Sequence, residues 1–314
     1  MGMLDGKVVA VTGAGRGIGR GEALLMAREG AKIVVNDLGG EWDGTGRDDR
    51  PASQVVEEIT AAGGEAVAHF DDISEPEGAK SLLGLALDTW GRIDGLVNNA
   101  GILRDKMSFT MPLEDWDAVI KVHLRGTFLC TGAVCAHWRD RSKAGEDVAG
   151  AIVNTSSTSG LLGNVGQSNY GAAKAAIAAF TQIVSMEVQR YGVRVNAIAP
   201  GARTRMTEKT FGDLKVPEGQ FDPLDPENVA PMVGFLLSDA ASEISGQVFY
   251  VTGGLVQLFQ GWTGVAEIQK DARWEVAELA ERVGELFEGR NTRYMPELSV
   301  MRQIAGIGGE GGSA

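Results

Sequence analysis

Cysteine is almost missing from this sequence. Only Cys130 and Cys135 occur in 314 residues, five apart on an expected helix that turns them to different faces. That excludes a disulfide framework and suits a reducing compartment. Histidine is as scarce: His69, His123 and His137 are scattered, and neither cysteine has a ligand-spaced companion, so no metal site is expected. Positive charge is in deficit. Lys and Arg number 29 against 42 Asp and Glu, a formal net charge of -13, which argues against nucleic-acid binding. Apolar runs are short and broken by glycine or charge, so no membrane span is expected. The start, MGMLDGKVVAVTG, lacks a basic segment before an apolar stretch, and the end, GEGGSA, is not a peroxisomal tripeptide. A cytoplasmic protein is the expectation.

Glycine, by contrast, is plentiful at 44 residues, and 44% of the chain is hydrophobic, enough for a sizeable core. Short apolar runs alternate with helical patterns. Strands are expected at 7–12, 33–36, 66–71, 95–98, 152–155, 193–199 and 247–251, and helices at about 19–29, 53–62, 75–90 and 170–191. This alternation predicts an α/β fold: a Rossmann-type doubly wound parallel sheet of about seven strands, covered on both faces. In this reading residues 1–256 form that domain and contain the catalytic site. Residues 38–51, rich in Gly and Asp, make a long loop after the second strand. Residues 257–314 form a C-terminal helical extension. There Val276, Leu279, Ala280, Val283 and Leu286 recur at helical spacing, predicting an amphipathic helix at about 274–287. Its apolar stripe must bury against the domain or a partner subunit. The last residues, 306–314, are expected to be disordered.

Thr12-Gly13-Ala14-Gly15-Arg16-Gly17-Ile18-Gly19 joins the first strand to the first helix. Glycines there permit a tight turn and let backbone N–H groups approach a pyrophosphate at the helix N-terminus. An ordinary strand-to-helix turn can look similar, but here an acid, Asp37, ends the second strand. A carboxylate at that point accepts hydrogen bonds from adenosine ribose hydroxyls and repels a 2′-phosphate. Arg16 pulls the other way. The charge penalty at Asp37 is the more direct, so NAD rather than NADP is the expected cofactor, held by Gly13, Gly15, Arg16, Gly17, Ile18, Gly19 and Asp37.

Tyr170 and Lys174 stand at i and i+4, on one helix face, and Ser157 ends the fifth strand. Taken singly they read as a packing ring, a solvated charge and a turn hydroxyl, with Ser156 a competing serine. The stretch Lys121-Val122-His123-Leu124-Arg125-Gly126-Thr127-Phe128 places a histidine on a helix before them.

The glycine spacing, followed in order by Asp72-Ile73, Asn98-Asn99-Ala100-Gly101, Ser157, Tyr170-x-x-x-Lys174 and Pro200-Gly201, resembles the short-chain dehydrogenase/reductase family over about residues 5–254. The resemblance implies Ser157, Tyr170 and Lys174 as the catalytic set, with Tyr170 and Lys174 also meeting the cofactor. It implies Asp72 and Ile73 at the adenine, Asn99, Ala100 and Gly101 along the ribose, and Pro200 and Gly201 beside the nicotinamide. A free tyrosine titrates near 10, too high for a base at neutral pH, and a neighbouring ammonium favours the phenolate. His123 stands where many members carry an asparagine that supports a proton relay. It either serves that relay as a fourth catalytic residue or is structural.

Within the family, Asn36-Asp37-Leu38-Gly39-Gly40, Gly101-Ile102-Leu103-Arg104-Asp105-Lys106, the histidine of VHLRGTF and Arg203-Thr204-Arg205-Met206-Thr207 are similar to the dehydrogenase part of the peroxisomal multifunctional enzymes of type 2. That implies an NAD-dependent oxidoreductase interconverting a secondary alcohol and a ketone, on a (3R)-3-hydroxyacyl-CoA or a hydroxysteroid. Arg104, Lys106, Arg203 and Arg205 either meet CoA phosphates or are plain loop charges. The family also implies a homodimer or homotetramer, through helices around 113–138 and 170–191. Two other readings stay open: an NADPH-dependent ketoreductase on another carbonyl, and a non-catalytic dinucleotide sensor.

Overall fold

The computed structural model describes residues 2–204, 216 and 219–294. They fall into two compact units, one ending at Phe259 and one beginning at Gln260. In the first, the elements are β1 (Val8–Thr12), α1 (Gly17–Arg28), β2 (Lys32–Asn36), α2 (Arg50–Ala61), β3 (Glu65–His69), α3 (Pro76–Trp90), β4 (Gly95–Asn98), α4 (Leu113–Ile120), α5 (Gly126–Lys143), β5 (Gly150–Thr155), α6 (Thr158–Leu162), α7 (Ser168–Val188), β6 (Val193–Pro200), α8 (Ala230–Leu237), β7 (Val248–Thr252) and β8 (Leu255–Phe259).

The strands form one sheet in the order β3-β2-β1-β4-β5-β6-β7-β8. The first seven run parallel, and β8 returns antiparallel to β7. β1 and β5 are buried along their whole length, as strands covered by helices on both faces must be. One face packs Met26 of α1, Ile59 of α2 and Leu236 of α8 against Val9, Val11 and Ile33. The other packs Leu82 of α3 and Trp138 of α5 against Ala10, Leu96 and Ile152. The indole N–H of Trp138 donates to the Ile93 carbonyl at 2.8 Å, so its burial leaves no polar group unpaired. The strand order reverses between β1 and β4, which opens a crevice beyond the carboxyl ends of the strands, where ligands bind in doubly wound folds.

Among the described residues the sheet holds eight strands where the sequence predicted about seven. The extra one, β8, is half of a hairpin whose loop is Gly253-Gly254, with Gly253 in the left-handed region. A domain boundary at 256 would cut through this strand. Its side chains are mostly exposed, so it shows none of the buried apolar pattern that marks the other strands. The long loop after β2 is present, and α2 starts at Arg50, three residues before its predicted start.

α4 and α5 are joined through one turn of π-helix, Lys121–Arg125, into a continuous run. That run, Leu113–Lys143, reaches a mean hydropathy of 1.2 over eighteen residues and by length and composition alone could cross a membrane. Here Cys130, Val134 and Trp138 of its inward face are spent on the sheet. In the second unit, α9 (Val276–Arg282) continues into a 3-10 turn at Val283–Phe287. A capping box between Glu275 and Glu278 starts it. The predicted stripe is there, yet none of α9 is buried; Val276 is 85% exposed. Residues 306–314 lie outside the described residues.

Candidate active site

Loops at the carboxyl ends of β1, β4 and β5 meet one another and the start of α7. After β1, Gly13 has a φ of +65°, and a Cβ on it would stand 2.7 Å from the Ala100 Cα. Only glycine therefore lets the β1 loop and the β4 loop close on each other. Asn99 locks that closure by donating its side-chain N–H groups to the Thr12 and Gly13 carbonyls, both at 3.0 Å. The Ala100 N–H donates to Thr12 Oγ1. No side chain caps the start of α1, so the first N–H groups, from Gly17, Ile18 and Gly19 onward, face the crevice with the positive end of the helix behind them.

Asp37 follows β2. Its carboxylate accepts from the Gly15 N–H at 2.8 Å and the Gly39 N–H at 2.6 Å, so it is held fixed beside the glycine loop. Arg16 reaches over to the Gly40 carbonyl at 3.2 Å. After β3, one Asp72 oxygen accepts from the N–H and hydroxyl of Ser74, while Ile73 is buried against Gly126. Pro200 ends β6, and the Gly201 carbonyl accepts from Thr252 Oγ1 at 2.7 Å.

Ser157, Tyr170, Lys174 and His123 converge in the same crevice. Ser157 is the N-cap of the short α6, its hydroxyl accepting from the Ser159 N–H at 3.1 Å. Tyr170 and Lys174 lie one turn apart on α7. The Lys174 side chain is 2% exposed; its Nζ donates to the Thr155 carbonyl at 2.6 Å and stands 5.6 Å from the Tyr170 ring centre. Burial pushes the Lys174 ammonium down to about 7. Burial likewise raises the Tyr170 phenol, a hydrogen bond with Ser157 lowers it, and the charge of Asp105 raises it. Both groups are thus biased towards their neutral forms, and each would favour ionisation of the other. Ser156 does not enter the crevice: its hydroxyl is spent on the Lys174 carbonyl at 2.8 Å.

His123 sits at the middle of the π-turn, edge-on to Tyr170 with ring centres 5.1 Å apart. Its Nε2 lies against the backbone of Ile102, 3.0 Å from N and 2.8 Å from O, and its buried Nδ1 has no partner. Burial, then the Lys174 charge, holds its pKa well below the ordinary histidine value, against the Ile102 hydrogen bond. The ring is neutral at physiological pH.

The sequence reading named Asn98 but missed the rest of the scaffold behind these groups. Asn98 donates to Thr131 and Asn154, and Asn154 donates to Thr181, tying β4 and β5 to α5 and α7 in the buried interior. Asn169, fully buried, accepts from the Tyr170 N–H at 2.7 Å and donates to the Arg104 and Asp115 carbonyls. Its place immediately before the tyrosine was the only available signal. Of the basic residues considered for CoA phosphates, Arg104 and Lys106 both pair with Asp115 and Arg203 pairs with Asp222. Arg205, Met206 and Thr207 lie outside the described residues.

Comparison with known proteins identifies the family and the fold. Residues 7–215 match the family model described as short chain dehydrogenase. Hydroxyacyl-CoA dehydrogenase ChsB1 of Mycobacterium tuberculosis is 48% identical over 309 residues, covering 96% of this chain and 95% of that protein. Peroxisomal multifunctional enzyme type 2 of Mus musculus is 41% identical over 93% of this chain, which corresponds to 35% of that longer protein. The crystal structure of a short chain dehydrogenase from Mycobacterium avium superposes with a TM-score of 0.83 at 49% identity, covering 94% of this chain and 99% of that one.

Proposed function

This chain belongs to the short chain dehydrogenase family, and on that footing we propose that it is an NAD-dependent dehydrogenase of (3R)-3-hydroxyacyl-CoA esters in which Tyr170 is the acid–base group. The family makes it an oxidoreductase acting on a CH–OH group of a small molecule with a nicotinamide nucleotide. The observation that carries the role of Tyr170 is the buried Lys174 Nζ, 5.6 Å from its ring centre.

The crevice suits a dinucleotide. Its uncapped helix start offers N–H groups to a pyrophosphate, and Gly13 lets the β1 loop close on the β4 loop, where Asn99 holds it. In this reading Gly13, Gly15, Gly17, Ile18 and Gly19 hold the phosphates and Asp37 the adenosine ribose. Asp72 and Ile73 flank the adenine, Asn99, Ala100 and Gly101 line the ribose path, and Pro200 and Gly201 border the nicotinamide. The fixed carboxylate of Asp37 supports NAD over NADP. Arg16, the residue that favoured NADP, is drawn to the Gly40 carbonyl.

The nicotinamide, when bound, takes or returns the hydride. The protein moves the proton. Tyr170 as phenolate accepts it from the substrate hydroxyl, and as phenol returns it in the reverse direction. Lys174 offsets the phenolate charge and is itself aimed by the Thr155 carbonyl. Ser157 hydrogen-bonds the reacting oxygen. His123, neutral and held on Ile102, braces the β4 loop beside Tyr170. A sensor without turnover would have no use for a buried lysine beside a buried phenol, since burying an ammonium is costly.

The acyl-CoA substrate is supported by the relative named hydroxyacyl-CoA dehydrogenase, similar over nearly its whole length; steroid alcohols are the second choice. The reading includes a homodimer or homotetramer, supported by exposed Phe128 of α5 and Ile183 and Met186 of α7, and a cytoplasmic setting, supported by two unpaired thiols. The test is a panel of (3R)- and (3S)-3-hydroxyacyl-CoA esters and steroid alcohols, each with NAD and NADP. Turnover of the 3R esters with NAD is expected. Clear preference for NADP would overturn the role of Asp37, and turnover of steroids alone would overturn the substrate.

A further inference from the structure

We propose that Asp105 is a positioning residue of this site: its carboxylate orients Gln167 and, through Gln167 and Ser159, fixes the Ser157 hydroxyl beside Tyr170. The inference rests on the reading of Tyr170 as the acid–base group. The chain of contacts is continuous. Gln167 Nε2 donates to Asp105 Oδ2 at 2.7 Å. Gln167 Oε1 accepts from Ser159 Oγ at 2.7 Å and from Asn164 Nδ2 at 2.9 Å. The Ser159 N–H then donates to Ser157 Oγ at 3.1 Å, and Ser157 hydrogen-bonds Tyr170.

The carboxylate decides which way this chain runs. An ionised carboxylate only accepts, so Gln167 must turn its NH2 to Asp105 and its oxygen to Ser159 and Asn164. Without an acceptor at position 105 the amide is free to flip, and both donors lose their acceptor. One link is a main-chain N–H, which cannot pass a proton on. The chain therefore positions the site and does not conduct.

Asp105 is itself held in place. Residues 104–106 are laid against the start of α7: Lys106 and Gln167 form a parallel bridge, and Asn169 grips the Arg104 carbonyl. On the outer side Arg104 and Lys106 are both anchored on Asp115. The carboxylate stands at the solvent-facing rim, and burial raises its own pKa while the Gln167 hydrogen bond lowers it. A second consequence follows from charge. Ionised Asp105 opposes ionisation of Tyr170, which favours the phenol that returns a proton over the phenolate that takes one.

Asp105→Asn separates the two effects, because asparagine keeps an acceptor for Gln167 and removes the charge. In oxidation of (3R)-3-hydroxybutyryl-CoA with NAD, the acid limb of kcat/KM should move to lower pH by roughly half a unit, with the plateau kcat within about twofold of the parent. High salt should shrink that difference, since a rim charge is screened. Asp105→Leu should show the same limb shift together with a plateau kcat about tenfold lower. An unmoved limb in both variants, or a parental plateau in Asp105→Leu, overturns the inference when Tyr170→Phe, measured alongside, is inactive. Full turnover by Tyr170→Phe overturns the reading of Tyr170 and this inference with it.

Discussion

The His123 ring fills the space that any side chain at position 101 would need: a Cβ on Gly101 would be driven into its Cε1. Residues 101 and 123 are therefore a matched pair. The ring also serves the Ile102 backbone, at 3.0 Å from N and 2.8 Å from O. Asparagine carries both an acceptor and a donor and can take over that contact. We expect His123→Asn to fold and keep most of its activity. His123→Leu should leave one Ile102 backbone group unpaired and cost about 1–3 kcal/mol, read as a lower melting temperature. Complete loss of turnover in His123→Asn with an unchanged melting temperature would mean that the ring acts in the chemistry itself. At this scale, what the sequence disclosed depended on distance along the chain. Tyr170 and Lys174 are one helical turn apart, so their partnership is written in the spacing. Asp105 and Gln167 are 62 residues apart and meet only when the sheet has brought the β4 loop beside α7.

At the scale of elements, the central parallel strands were legible because β1, β4 and β5 are buried along their whole length and read as short, mainly apolar runs. β8 and α8 were not. β8 is a mostly exposed edge strand, and the Gly253-Gly254 turn that announces it also reads as a loop. α8, Ala-Pro-Met-Val-Gly-Phe-Leu-Leu, is short and interrupted by proline and glycine, both poor helix interiors. The π-turn between α4 and α5 has no sequence signature, yet it is what presents His123 to Tyr170. On the proposed function, the end of β2 carries the cofactor choice. Asp37 takes two backbone N–H groups, from Gly15 and Gly39, so its charge is held in place. Asp37→Ser should keep a polar contact and remove the repulsion of a 2′-phosphate, lowering the NAD-over-NADP ratio of kcat/KM by roughly tenfold to a hundredfold. An unchanged ratio would place cofactor discrimination elsewhere.

For the molecule as a whole, one group sets a pH dependence of stability that the active site does not explain. Glu22, on α1, is fully buried, and among the described residues neither of its carboxylate oxygens has a partner. Burial pushes its pKa up from 4.5 to about 8. The folded state therefore holds this proton where the unfolded chain releases it. Its contribution to stability is intact below about 4.5 and is lost progressively as pH rises towards 8. Glu22→Gln, neutral at every pH, should match the parent near pH 5 and exceed it near pH 8 by roughly 3–5 kcal/mol, measured by denaturant unfolding at the two pH values. An equal difference at both would show that the carboxyl is not buried in the charged-disfavoured state described. On the proposed function, the activity of the whole molecule depends on Tyr170. The most direct test is steady-state oxidation of (3R)-3-hydroxybutyryl-CoA with NAD by the parent protein and by Tyr170→Phe, followed through the absorbance of the reduced nicotinamide. The account predicts turnover by the parent and a loss of roughly 10²–10⁴-fold in kcat on removing one hydroxyl, with NAD binding retained. Equal turnover by the two proteins would contradict it.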